Sequence, residues 1–182
     1  MTDAMQKGRT RSHARATGVV YLSYFVVAIL GMIMVSRKFP GGTFLTGFAP
    51  VLYVTLTVLL YRLFRRVHPL LALAAVIFGL AGGVNDVLHQ LHLGAANLNS
   101  LVFFGPFCIL LGVLILRSRF LPRWLGWPLI VAGIGWLAYL HPTVALHARV
   151  VIFPVGFLAE FALMLWLLIR GVDEERWSAS QS

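Results

Sequence analysis

This 182-residue chain predicts an all-α fold: a polytopic membrane protein of six transmembrane helices in one bundle, N-in and C-in. Three observations carry that prediction. First, apolar stretches recur near residues 18–36, 43–64, 70–89, 98–116, 125–140 and 150–169, and 59% of all residues are hydrophobic. Second, a bilayer core about 30 Å thick needs ~20 helical residues rising ~1.5 Å each, so each stretch can span, the fifth only barely. Third, the basic residues alternate in side. With the N-terminus inside, only Arg37, Lys38 and Arg149 of the 15 Lys and Arg fall on outer segments. Basic residues near span ends set orientation, which gives the cytoplasmic termini.

Taken in order, residues 1–14 are polar with no apolar periodicity and read as a disordered cytoplasmic tail. The basic start and the apolar run behind it resemble a signal peptide. No small-residue cleavage site follows Ser36, so the run is read as a retained first helix opening a membrane domain over 15–172. Short loops make consecutive helices antiparallel neighbours. In the third stretch Gly79, Gly82 and Gly83 share a side with Asp86 at ~100° per residue. Small residues let helices approach closely in lipid, so Asp86 is expected to point into the bundle. The fourth holds the lone Cys108 between Gly105 and Gly112, a packing residue without a disulfide partner. The following RSRFLPRWLGWP (residues 117–128) reads as an interfacial cytoplasmic turn, since Trp sits at headgroup level and Pro breaks helices. The sixth stretch carries Pro154 and Glu160 and is expected to stop near Gly171, leaving 173–182 as a cytoplasmic tail.

The formal charge of +9 would suggest nucleic acid in a soluble protein. Here the basic residues cluster at helix ends, where they meet anionic headgroups, and no basic groove with interleaved aromatics exists. Nucleic acid is therefore excluded as a partner. The expected setting is a membrane crossed several times with both termini cytoplasmic, with the lipid bilayer as partner. Six short helices make a small pore alone, which points to a homo-oligomer or a partner membrane protein, and to a small-molecule ligand.

Two acids, Asp86 and Glu160, lie within the spans. Each costs ~2.5–3.5 kcal/mol in lipid on insertion scales, so each should face protein or water. Both are candidate catalytic residues. On a helix, Asn85, Asp86, His89 and His92 fit one arc of about 120° at the outer end of the third span. His141 and His147 are expected in the loop between the fifth and sixth helices, beside Arg149. Asn97, Asn99 and Ser100 add polar groups nearby. His89, His92 and Asp86, with His141 or His147, have the donor types that ligate zinc or another transition metal; histidines from two helices also suit haem. The spacing D-x-x-H-x-x-H matches no established metal signature, and interfacial or packing histidines are the favoured reading over a metal or haem site. Glu160, six residues after Pro154, is either a proton carrier or a buried hydrogen-bonding group. No nucleophile is paired with a histidine by motif, and no Lys lies in a span.

Several blocks resemble one family. Arg15, Gly18, Tyr21 and Leu22 form an R-x-x-G-x-x-Y-L opening; Phe103-Phe104-Gly105, Gly112 and Ser118-Arg119-Phe120-Leu121-Pro122-Arg123-Trp124-Leu125-Gly126 form a centre. Gly156, Glu160, Leu165-Trp166-Leu167-Leu168 and Gly171-Val172 form a closing helix. Together they are similar to the bacterial membrane family known as domain of unknown function 4386, over most of residues 15–172. The resemblance implies a multi-helix inner-membrane protein with no established activity, adds weight to Glu160, and matches His92 to a histidine preceding Phe-Phe-Gly. The first outer loop, 37–42, is short for that family. Two classes stay open: a small-molecule or ion binding, transport or structural module with an outward polar pocket, or a membrane-embedded metal- or haem-dependent enzyme.

Overall fold

A computed structural model describes residues 2–93 and 99–173, and six α-helices account for most of them. They are α1 (Thr2–Ser36), α2 (Gly42–Phe64), α3 (Pro69–Gln90), α4 (Leu101–Arg117), α5 (Gly126–Leu137) and α6 (Pro142–Ile169). Short 3-10 turns, Arg123–Leu125 and Ala138–Leu140, flank α5. No strand occurs among the described residues. Each helix packs on the next, and α1 packs on α6, so the six close into a ring in chain order.

Three boundaries differ from expectation, each for a local reason. The helix α1 is already formed at Thr2, so residues 2–14, expected as an unordered tail, continue it. Their Ala, Met, Gln, Lys and Arg are good helix formers although the segment is polar. The helix α6 starts at Pro142, eight residues before its apolar stretch. Proline suits a first helical turn, where its missing N–H is no loss, and the polar first turns hid the start from hydropathy. His147 and Arg149 therefore sit on a helix, not in a loop. The fifth stretch is divided into α5 and its two 3-10 turns. Residues 174–182, most of the expected C-terminal tail, and Asn97 lie outside the described residues. Gly171 has a left-handed φ of 71°, and its N–H bonds the Trp166 carbonyl at 3.0 Å, which ends α6 as the sequence indicates.

Glycine sets the tightest seam. A Cβ on Gly133 would stand 2.6 Å from the Gly105 carbonyl oxygen, and one on Gly105 2.9 Å from that of Gly133. Gly112 and Gly126 face each other the same way, at 2.6 and 2.7 Å. Two glycine pairs one heptad apart thus bring α4 and α5 backbone to backbone, where dispersion replaces the hydrophobic drive absent in lipid. Gly18 makes a similar approach to the backbone of Leu167 and Leu168 on α6. Between these seams Tyr21, Leu56, Cys108, Leu111, Ile115, Leu129, Leu163 and Leu167 form a buried core. The outer faces are apolar too: Val26, Leu30, Leu70, Ile77, Val150 and Leu158 are exposed.

Four segments, Ser12–Ser36, Gly42–Phe64, Pro69–Gln90 and Thr143–Ile169, are long and apolar enough to cross a membrane. The apolar α4 is shorter, at 17 residues. In the turn before α5, Phe120, Leu121 and Leu125 are buried while Trp124 is exposed, as is Trp127 at the start of α5. The Asp173 N–H bonds the Phe120 carbonyl at 3.1 Å, tying that turn to the end of α6.

Candidate functional site

At the end of the ring where α3 stops and α4 and α6 begin, the helices splay around a cavity of about 950 Å³. Glycine and alanine make room for it: Ala28 of α1, Ala49 of α2, Gly82 of α3 and Ala145 of α6 all line it. Its polar groups come from separate elements. The third helix supplies Asp86, His89 and Gln90; the two residues just before α4 supply Asn99 and Ser100; α6 supplies Arg149. Asp86 faces this cavity, as the glycine side of α3 predicts.

Ser100 organises the acid. The Asn85 amide donates to the Ser100 hydroxyl at 2.8 Å, and the Ser100 side chain is hydrogen-bonded to Asp86. His89, one turn on, is close enough to interact electrostatically with Asp86. One hydroxyl thus ties two residues of α3 to the start of α4. A second tie, from the Gln90 amide to the Thr46 carbonyl at 3.2 Å, holds α3 to α2.

The wall behind these groups is aromatic. Tyr24 of α1 packs on Tyr53 of α2 with centroids 5.5 Å apart, Tyr53 on Phe104 of α4 at 5.8 Å, and Phe104 on Trp136 of α5 at 5.9 Å. Trp136 reaches Phe153 of α6 at 5.2 Å, edge to face. The arc touches five helices, and of its members only Trp136 does not line the cavity. Edge and tilted contacts suit the ring quadrupole and add to the area buried. Two polar atoms in the arc, the Tyr53 hydroxyl and the Trp136 indole N–H, are buried with no hydrogen-bond partner among the described residues. Buried polar atoms normally have one, so both are exceptions, and of the two only the Tyr53 hydroxyl belongs to a residue that lines the cavity.

Beneath the arc lies Glu160. It is 5% exposed, on α6, and its carboxylate accepts from the Tyr21 hydroxyl of α1 at 3.0 Å. Opening and closing sequence blocks therefore meet across the α1–α6 seam, at Gly18 and at Tyr21. The pair meets the requirement that an acid in an apolar bundle be hydrogen-bonded.

The expected ligand set is not brought together. Among the described residues no three His, Cys, Asp or Glu side chains are placed to hold a metal ion. Asp86 and His89 share the cavity; His92, His141 and His147 do not line it. The arc that includes His92 requires α3 to run on through that residue, but α3 ends at Gln90 and His92 lies beyond it with a left-handed φ of 58°. His141 precedes the first turn of α6, and the His147 ring contacts the Thr143 carbonyl of its own helix at 2.8 Å. Sequence reasoning left out the tyrosines. All five of the chain, Tyr21, Tyr24, Tyr53, Tyr61 and Tyr139, fall in apolar stretches, and a hydroxyl there needs a partner. That signal was present, and it points to the arc.

A family model described as Domain of unknown function (DUF4386) matches residues 84–171, from the cavity end of α3 to the end of α6. An uncharacterised protein of Archaeoglobus fulgidus is 30% identical over 128 residues, covering 66% of this chain and 78% of that protein. No solved structure matches the chain.

Proposed function

This chain belongs to the DUF4386 family, and from its cavity we propose that it is a small-molecule binding module of the membrane, open to the outer side. The observation that carries this is one amphipathic cavity with an acid, a base and an aromatic wall contributed by separate helices. Its size falls in the usual range for ligand sites, roughly 300–1,000 Å³, and its mix of apolar wall and few convergent polar groups is the usual composition.

The orientation proposed is N-in and C-in in the cytoplasmic membrane, with six spans and the cavity outward. Arg62, Arg65, Arg66, Arg117, Arg119, Arg123 and Arg170 lie at the opposite end of the ring from the cavity. Such a bias marks the cytoplasmic face. The exposed apolar side chains then meet lipid, or in part a second copy. In this arrangement Glu160 is a polar contact holding α1 to α6 beneath the site.

The alternative, a metal- or haem-dependent enzyme built on Asp86, His89 and His92, lacks a gathered ligand set among the described residues. Labelling tests the proposal. The lone cysteine, Cys108, is buried, so Leu146→Cys in the cavity lining reports on its own. A membrane-impermeant maleimide added to intact cells is expected to label Leu146→Cys and to leave Trp124→Cys, at the opposite end, unlabelled. Labelling of Trp124→Cys instead, or of neither, overturns an outward cavity.

A further inference from the structure

The cavity holds opposite charges on different walls. Asp86 projects from α3 and Arg149 from α6, and no ion pair between them occurs among the described residues. Paired with each other they would neutralise the site. Set apart, the acid and the arginine can engage different groups of one ligand. Tyr24, Tyr53 and Phe104 line the same cavity, and aromatic rings attract ammonium groups through their faces. The Tyr53 hydroxyl, buried and without a partner among the described residues, adds a polar atom in the same wall. Arginine matches phosphate and carboxylate through two parallel N–H donors.

From this arrangement we infer that the cavity takes a zwitterion carrying an ammonium group and a phosphate, with the ammonium at Asp86 and the aromatic wall and the phosphate at Arg149. The inference rests on the outward cavity proposed above and names its ligand class. A ligand with one charge would engage only one of the two walls, the acid or the arginine. Zwitterions therefore gain over simple amines or simple phosphates. A phospholipid headgroup and a free phosphoammonium compound share this chemistry, and the cavity's place at a bundle end suits either.

The test uses the full-length protein in nanodiscs of phosphatidylglycerol alone. Phosphoethanolamine, ethanolamine and inorganic phosphate are each titrated by calorimetry. In a parallel arm phosphatidylethanolamine replaces part of the phosphatidylglycerol, and protection of Leu146→Cys from maleimide is read. Phosphoethanolamine is expected to bind at least tenfold tighter than either half-ligand, with Asp86→Asn and Arg149→Gln each weakening it at least tenfold. If only the lipid arm protects, the source is the headgroup; if both arms respond, the free compound also enters.

Absence of binding and protection in both arms overturns the ligand class. Equal binding of inorganic phosphate, unchanged in Asp86→Asn, overturns it as well. These wild-type titrations stand even if a variant fails to fold. Labelling of Leu146→Cys separates the two proposals: labelled but never protected, the cavity stays open outward and only the zwitterion is lost.

Discussion

Replacing Gly133 by alanine is expected to force α4 and α5 apart. The new Cβ would stand 2.6 Å from the Gly105 carbonyl oxygen, where ordinary contact begins at 3.4 Å, a shortfall of about 0.8 Å. Backbone cannot swing aside as a side-chain end can, so the whole seam must open. A gap of 0.5–1 Å gives up roughly a quarter to a half of each dispersion contact along it. Overpacking of this kind costs ~1–3 kcal/mol, while alanine over glycine in a helix returns ~0.5–1 kcal/mol. The net expectation is a loss of up to ~2.5 kcal/mol, centred on about 1 kcal/mol. Gly135 is the control on the same helix: its Cβ would lie 3.4 Å from Ile152, an ordinary contact, so Gly135→Ala should stabilise slightly. Because one separation relieves both clashes, Gly105→Ala with Gly133→Ala should cost less than the two singles added, by ~0.5–3 kcal/mol. Reversible unfolding in mixed micelles of rising dodecyl sulfate fraction, followed by tryptophan fluorescence, measures all four. Stabilisation by Gly133→Ala, or strict additivity in the double variant, would refute the close-approach account.

Two further outcomes bear on the buried polar groups. Tyr21→Phe leaves the Glu160 carboxyl without its donor and should cost ~1–3 kcal/mol in the same unfolding assay. Adding Glu160→Leu should recover part of that loss; no recovery would mean that Glu160 has a role beyond the Tyr21 bond. Elemental mass spectrometry of the purified protein should find no stoichiometric zinc, copper or iron. Near-stoichiometric metal that disappears in Asp86→Ala with His89→Ala would restore the enzyme alternative.

The apolar stretches and the end of α6 are legible in the sequence pattern. Helix existence follows from ~20-residue hydrophobic runs, and Gly171 stops α6 where its chemistry indicates. Asp86 faces the cavity because the α3 glycines mark the packed side, a relation that helical periodicity alone supplies. Local periodicity does not extend past a helix end, so His92, two residues beyond α3, was wrongly placed on its face. Hydropathy likewise cannot register a polar helical turn, so the first turns of α6, and Arg149 with them, read as a loop in the sequence and form a helix in the structure.

What the sequence by itself determined is the class of the protein: apolar helices for a bilayer, short antiparallel connections, and two acids that must be sheltered. These depend on neighbours in the chain and on the solvent around it. Tertiary structure alone decided which distant groups meet. It put Tyr21 on Glu160, set Gly105 against Gly133, and placed Asp86 and Arg149 on different walls of one cavity. Those meetings follow from the order of helices around the ring and from their rotation and depth. Ring order and depth are set by side-chain packing between elements far apart in the chain, and no local pattern of residues encodes them.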